Sequence, residues 1–272
     1  MAKTPRVALY SSYVPGPIGG GERYFFSSAE LLSSRAKVDI LHTQDQPIDL
    51  SLYEKQFGLD LSNVAQKHLP TSAIGKIFTT LRYHSMLAMT DGSLFFTGAR
   101  RRVLHIQFPF TNSINGIINR IKLHHWGIRN ANSAFTQQIV QDSWNTKIQW
   151  IHEPYVDGEL FKSEKKENII LNVGRFYNPG ESGAHPKNQD VLIEAFRSAV
   201  DRGLTGWRLI LLGGFDSSPE SAEYMRKLET LAKGYPVKIL TNLSQSAIAK
   251  YYSISRIYWH GAGYNQDVSK HP

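Results

Sequence analysis

Apolar residues along this chain follow two rhythms: short β-branched runs, and one-sided stripes at three- and four-residue spacing. The two alternate. One clear instance spans Asn168 to Phe196, where Ile169, Ile170, Leu171 and Val173 form a run of the length and character of a buried parallel strand. Gly174 and Arg175 stop it, a Pro- and Gly-rich loop carries Lys187, and Val191, Leu192, Ala195, Phe196 and Ala199 then recur at helical spacing. Strand, glycine, basic loop and helix is how an α/β fold offers cations and helix-end N–H groups to an anion. A surface loop with two solvated cations has the same spacing.

The rhythm predicts more of the same on both sides. Arg6–Ser11 is a first strand, a glycine-rich turn follows, and from Glu22 the residues Phe25, Ala29 and Leu32 mark one helix face. Val38–Leu41 is a second strand, and residues 43–73 are polar and broken by Pro47, Gly58 and Pro70. A helix is expected over Ile74–Met89, with Ile74, Ile77, Phe78, Leu81 and Ala88 on its apolar side; it also carries Lys76, Arg82 and His84. A basic amphipathic helix at a membrane surface has this pattern, and a helix packed on a sheet, which has it too, is the expectation. Strands at Leu94–Thr97 and Val103–Ile106 come next, then a helix around Ser113–Trp126, and a helix capped by Ser133. The polar run SEKKEN reads as a linker, dividing the chain into domains 1–162 and 163–272.

In the second domain, Trp207–Leu212 is a strand. Ser218 caps a helix with Pro219 at its first position and Gly234 just past its end. Val237–Leu240 is a strand, Ser244–Tyr252 a helix and Ile257–His260 a fourth strand. Strands alternating with helices predict an α/β fold with doubly wound parallel sheets.

Composition narrows the chemistry. At 272 residues, with 41% hydrophobic and 20% charged residues, the chain can bury two cores. The absence of cysteine excludes disulfides, thiolate ligands and a cysteine nucleophile. The excess of 31 basic over 23 acidic residues, +8 in all, favours anionic partners. That charge looks spread out, Arg100-Arg101-Arg102 being its densest block, and without basic-aromatic interleaving no nucleic-acid partner is expected. No apolar run reaches a membrane-spanning length, and no signal-peptide pattern opens the chain, so a cytoplasmic protein is expected.

Gly19 and Gly21 could supply two glycines of a dinucleotide fingerprint, but Tyr24 occupies the third position and no acidic residue ends the second strand. A ligand-binding turn and a purely structural one both remain open. No H-E-x-x-H spacing occurs, and Asp157-Gly-Glu159 is the nearest approach to an Asp-x-Asp, so no metal and no other cofactor is expected.

The wording of several segments is more specific than their spacing. ILNVGRF and HPKNQDVLIEAF, with GGGERYFF, IRNANSAF and EPYVD, resemble the retaining glycosyltransferases of family four (group 1), which have the GT-B architecture of two Rossmann-like domains. The resemblance covers nearly the whole chain. It implies that Arg175 and Lys187 contact the pyrophosphate of a GDP- or UDP-linked sugar, with Gly19, Gly20, Gly21, Glu22 and His260 as further donor contacts. It implies His105 or Gln107 at the sugar, since a His in the family often precedes an aromatic-Pro pair; here Gln107 stands directly before Phe108-Pro109. The implied acceptor is a glycan or lipid-linked saccharide, the implied reaction mannosyl or glucosyl transfer with retention in polysaccharide biosynthesis, and a peripheral membrane contact goes with it. Family members with a similar His-x-x-Gly-x-x-x-Asp stretch continue into a pair of glutamates. This chain does not, so the second domain is expected to be incomplete, and a catalytically incomplete nucleotide-binding or protein-interaction module is the alternative.

Overall fold

The computed structural model describes residues 4–14, 19–112, 114–177, 187–216 and 218–265. Two compact units divide the chain, Met1–Tyr155 and Val156–Pro272.

In the first unit, β1 (Arg6–Ser11), β2 (Lys37–His42), β3 (Val64–His68), β4 (Ser85–Thr90), β5 (Arg101–Ile106), β6 (Ile128–Ala131) and β7 (Trp150–Ile151) form a parallel sheet of order β3-β2-β1-β4-β5-β6-β7. The helices are α1 (Gly20–Ser33), α2 (Leu50–Phe57), α3 (Ala73–Thr80), α4 (Ile117–His125) and α5 (Ala134–Trp144). Both faces are packed: Leu9, Phe25, Phe26 and Ile40 belong to one cluster, and Leu104, Ile106, Trp126 and Trp144 to the other. Asp49, Ser72 and Ser133 cap α2, α3 and α5 by accepting a backbone N–H of the first turn.

Three sequence expectations need correction here. The helix expected over Ile74–Met89 is two elements, α3 and β4. Residues 85–90 pair with both β1 and β5, and this central position overrides the helical spacing. The apolar side of α3 also does not pack on the sheet: Ile74, Phe78 and Leu81 are exposed, while Thr80 is the buried residue. The strand expected at Leu94–Thr97 is irregular chain, because β4 and β6 already occupy both edges of β5. The unassigned stretch 43–73 holds α2 and the edge strand β3. Of the helix expected from Ser113, residues 117–125 form α4, and Ser113 itself lies outside the described residues.

In the second unit, β8 (Glu167–Val173), β9 (Arg208–Gly213), β10 (Val237–Thr241) and β11 (Ser255–Tyr258) form a parallel sheet of order β10-β9-β8-β11. Its helices are α6 (Gln189–Asp201), α7 (Pro219–Ala232) and α8 (Gln245–Ile254). Phe196, Leu209, Leu211 and Leu228 make one cluster, and Ile169, Leu171, Ile210 and Leu212 the other. Ser218 caps its helix as expected, Ser244, expected as the first residue of its helix, is the cap of α8, and Gly234 takes the left-handed conformation just past α7.

Candidate functional site

In an open parallel sheet the place for a ligand lies beyond the carboxyl ends of the strands, where the strand order reverses. In the second unit the order reverses at β8, with β9 and β10 on one side and β11 on the other. Arg175 follows β8 by two residues, and Lys187 sits two residues before α6. The structure brings them together. The Lys187 side chain packs over Gly174, where a Cβ would meet its Cγ at 3.4 Å. Burial holds the Lys187 ammonium below its ordinary range, and the charge of Arg175 pushes it further down. Among the described residues, neither cation has a carboxylate within ion-pair distance. The loop 178–186 between them lies outside the described residues.

Close backbone packing sets this edge. Gly213 ends β9 against β8: a Cβ there would lie 1.9 Å from the Gly174 carbonyl oxygen. Gly174 donates its N–H to Leu212 and Phe176 to Gly214. The side chain of Gln189, fully buried at the start of α6, donates from Nε2 to the carbonyls of Gly174 (3.2 Å) and Arg175 (3.0 Å), and Tyr224 donates to its Oε1 (3.2 Å). Asn188, in the left-handed region at φ 53°, donates from Nδ2 to Gly261 at 2.7 Å. A Cβ on Gly261 would come within 2.8 Å of the Lys187 carbonyl oxygen, so the chain after β11, with exposed His260, reaches the same edge. Helix α6 has no side-chain cap hydrogen bond at Asn188; the N–H of Asp190 in its first turn donates to the Tyr224 hydroxyl at 3.4 Å.

The first unit repeats the geometry at the reversal between β1 and β4. Gly19 is the extended N-cap of α1 and Glu22 is buried in its first turn. A Cβ on Gly21 would approach Gln107 Oε1 to 3.2 Å, whereas one on Gly20 would meet nothing within 4 Å. Asn132 Nδ2 donates to the Gln107 carbonyl at 3.0 Å. Gln107 is half-buried just past β5. His105 is 0% exposed. Its ring stacks on Tyr24 with centroids 4.2 Å apart, its Nδ1 lies 3.2 Å from Asn130 Oδ1, and its Nε2 has no partner among the described residues. Burial pushes the imidazole down to about 4, Asn130 opposing and His152 adding a smaller push. The Tyr24 hydroxyl lies 2.5 Å from His152 Nδ1, and burial raises its phenol well above the ordinary range.

Sequence reasoning missed Gln189, Tyr24, Asn130 and His152. For Tyr24 a signal existed: it stands where a dinucleotide fingerprint has its third glycine, and its ring fills that space. Asp157, in the Asp-x-Glu considered for a metal, caps a turn by accepting the N–H groups of Glu159 (2.9 Å) and Leu160 (3.3 Å). Among the described residues no three His, Asp or Glu side chains converge as a metal site would require. Nor is any described helix long and apolar enough to cross a membrane. Residues 266–272, which include Asp267 of the His-x-x-Gly-x-x-x-Asp stretch, lie outside the described residues.

No protein-family model and no curated protein matches the chain. Solved structures do. An alpha-glucosyltransferase in complex with UDP and a 13-mer DNA aligns at TM-score 0.54 and 10% identity over 95% of this chain and 71% of that one. The N-terminal domain of Candida albicans trehalose-6-phosphate phosphatase aligns at 0.53 and 12% over 93% and 76%. The S. aureus MnaA–UDP structure aligns at 0.50 and 11% over 94% and 74%. Likeness at these identities speaks to fold, and the fold is of the GT-B type, two Rossmann-like α/β units on parallel sheets.

Proposed function

We propose that the chain is a glycosyltransferase moving a sugar from a UDP- or GDP-linked donor to a glycan or lipid-linked acceptor, with retention of configuration and without a metal ion. One observation carries this reading. Arg175 and Lys187 are held close together, half-buried and without a described carboxylate partner, beyond the strand ends where the sheet order reverses. Two like charges kept partly out of water repel each other, and a diphosphate between them relieves both the repulsion and the loss of hydration. As the glycosidic bond breaks, negative charge collects on the departing diphosphate. Fixed cations stabilise that charge with no reorganisation. His260 is proposed as a further donor contact on the same edge.

In the first unit the Gly19–Gly21 turn, Glu22 and Gln107 form the proposed second substrate-contacting surface. His105, enclosed behind it, acts by holding Tyr24 and so the first turn of α1.

The test is calorimetric titration with UDP and GDP, with and without EDTA, followed by assay of UDP-glucose and GDP-mannose turnover and of the anomer formed. Saturable binding that persists in EDTA, with sugar transfer, is the expected result. Absence of binding to either nucleotide overturns the reading. Binding without transfer to any acceptor replaces it with a nucleotide-binding module.

A further inference from the structure

Three backbone carbonyls at the carboxyl edge of the second unit's sheet end on two neighbouring side-chain amides. Gln189, the first residue of α6, donates from Nε2 to the carbonyls of Gly174 and Arg175, just past β8, at 3.2 and 3.0 Å. Asn188, the residue before it, donates from Nδ2 to the carbonyl of Gly261, past β11, at 2.7 Å. Lys187 precedes both, so the two amides tie it to the chain ends on either side. A carbonyl can only accept, and these contacts therefore set each amide with its NH2 group toward the backbone. The far side of the Gln189 amide is set as well. Its Oε1 accepts from the Tyr224 hydroxyl at 3.2 Å, that hydroxyl lies 3.2 Å from Asp190 Oδ1, and Asp190 pairs with Lys227 at 2.6 Å.

Gln189 is 0% exposed. For packing alone an apolar side chain of the same length would serve, without the cost of taking an amide out of water. The hydrogen bonds have an electrostatic consequence that packing does not. A carbonyl oxygen carries partial negative charge, and one facing the space beside Arg175 and Lys187 would repel an anion or draw the cations to itself. Gln189 holds the Gly174 and Arg175 carbonyls toward the buried start of α6, and Asn188 occupies that of Gly261. The two cations stay close to one another: burial and the charge of Arg175 keep the Lys187 ammonium below its ordinary range.

We propose that Asn188 and Gln189 are positioning residues that keep Arg175 and Lys187 aimed together at a diphosphate, and so give the site its preference for a nucleoside diphosphate over a monophosphate. One cation is enough to hold a monophosphate, whereas a diphosphate gains from both only when their separation is fixed. Neither amide touches the ligand. Both act through the backbone, by fixing the peptide planes from which the two cations project. This inference rests on the reading of Arg175 and Lys187 as phosphate contacts, and its test separates the two.

Asn188→Gly removes the amide alone, since glycine takes the left-handed backbone at φ 53° freely. Gln189→Met keeps the length of the side chain and deletes its donor. Calorimetry on the whole chain compares UDP with UMP and GDP with GMP, for the native chain and both variants, and urea denaturation gives their stability. Each variant is expected to cut the preference for the diphosphate by about tenfold. A merely structural role lowers stability, or lowers both affinities by the same factor, and leaves the ratio where it was; an unchanged ratio in both variants overturns the proposal. Should Gln189→Met fail to fold, Tyr224→Phe removes only the hydroxyl that holds Oε1. A smaller fall in the same ratio is expected there, and no fall strikes Gln189 from the pair. The second readout needs no nucleotide. With isotope-labelled dimethyl groups on the lysines, which keep their charge, the Lys187 resonance is identified by its loss in Lys187→Arg. Its titration midpoint should rise toward the ordinary range in both variants, as in Arg175→Ala. A native chain that binds no nucleotide overturns the sugar-transfer reading. The Lys187 titration then decides the positioning by itself, and a midpoint unmoved in both variants overturns it.

Discussion

Gly213 stands against Gly174 so closely that a Cβ at position 213 would lie 1.9 Å from the Gly174 carbonyl oxygen. The obstacle is backbone, which cannot swing aside as a flexible side chain would. Gly213→Ala must push the ends of β8 and β9 apart, just before Arg175. The expected cost is about 1–3 kcal/mol of stability, the range for overpacking. Urea denaturation checks it, and titration with UDP and GDP should show affinity falling as well, because Arg175 moves with β8. Gly127→Ala, outside the proposed contacts and where a Cβ meets nothing within 4 Å, is the control and should leave both unchanged.

Replacing Arg175 or Lys187 by Ala should weaken nucleoside diphosphate binding by roughly 1.5–3 kcal/mol, as for hydrogen bonds to charged groups. The two losses should not add, since each cation also repels the other. Calorimetry on the two single variants and the double variant measures this. Unchanged affinity in both singles would remove these residues from the site.

His105 makes stability pH-dependent. Its folded value of about 4 lies below the ordinary 6.5, so the unfolded chain binds the proton more readily. Stability is therefore fully present above about 6.5 and is lost as pH falls towards 4, by up to roughly 3 kcal/mol. Denaturation across that window should show a steeper slope for the native chain than for His105→Gln. Equal slopes would mean that His105 titrates normally.

Asp39 holds three strands of the first unit from a buried position. Its carboxylate accepts from Arg6 on β1 at 2.9 Å and from the Tyr83 hydroxyl at 2.7 Å, with Lys67 on β3 at 3.9 Å. Asp39→Ala should cost about 2–3 kcal/mol, the low end for breaking a buried pair because Arg6 keeps about a third of its side chain in water. Chemical denaturation gives the number, and a loss below about 0.5 kcal/mol would show that the strands do not depend on this carboxylate.

Most element identities could be read from the pattern because local chemistry and tertiary position agree there. Ile169–Val173 is rich in β-branched residues and lies in the interior of its sheet, and Ser133 and Ser218 cap helices where their hydroxyls predict. The failures occur where the two disagree. Ser85–Thr90 is rich in Met, Leu and Ala, good helix formers, but fills the place between β1 and β5. Val64–His68 is too polar to announce itself as a strand because it pairs on one side only. In the site, charge and glycine marked Arg175, Lys187 and the Gly19–Gly21 turn. Gln189 and Tyr24 carry no such mark, since their roles depend on which carbonyls and rings the fold sets beside them.

By itself the sequence determined the alternation of strands and helices, the caps that bound them, and a surplus of cations. These follow from residue spacing and from chemistry within a few positions along the chain. Which strands became neighbours, which helix faces met solvent, and that Arg175 and Lys187 share one edge of a sheet were decided only in three dimensions. Each depends on residues far apart in the chain competing for the same place against the same sheet.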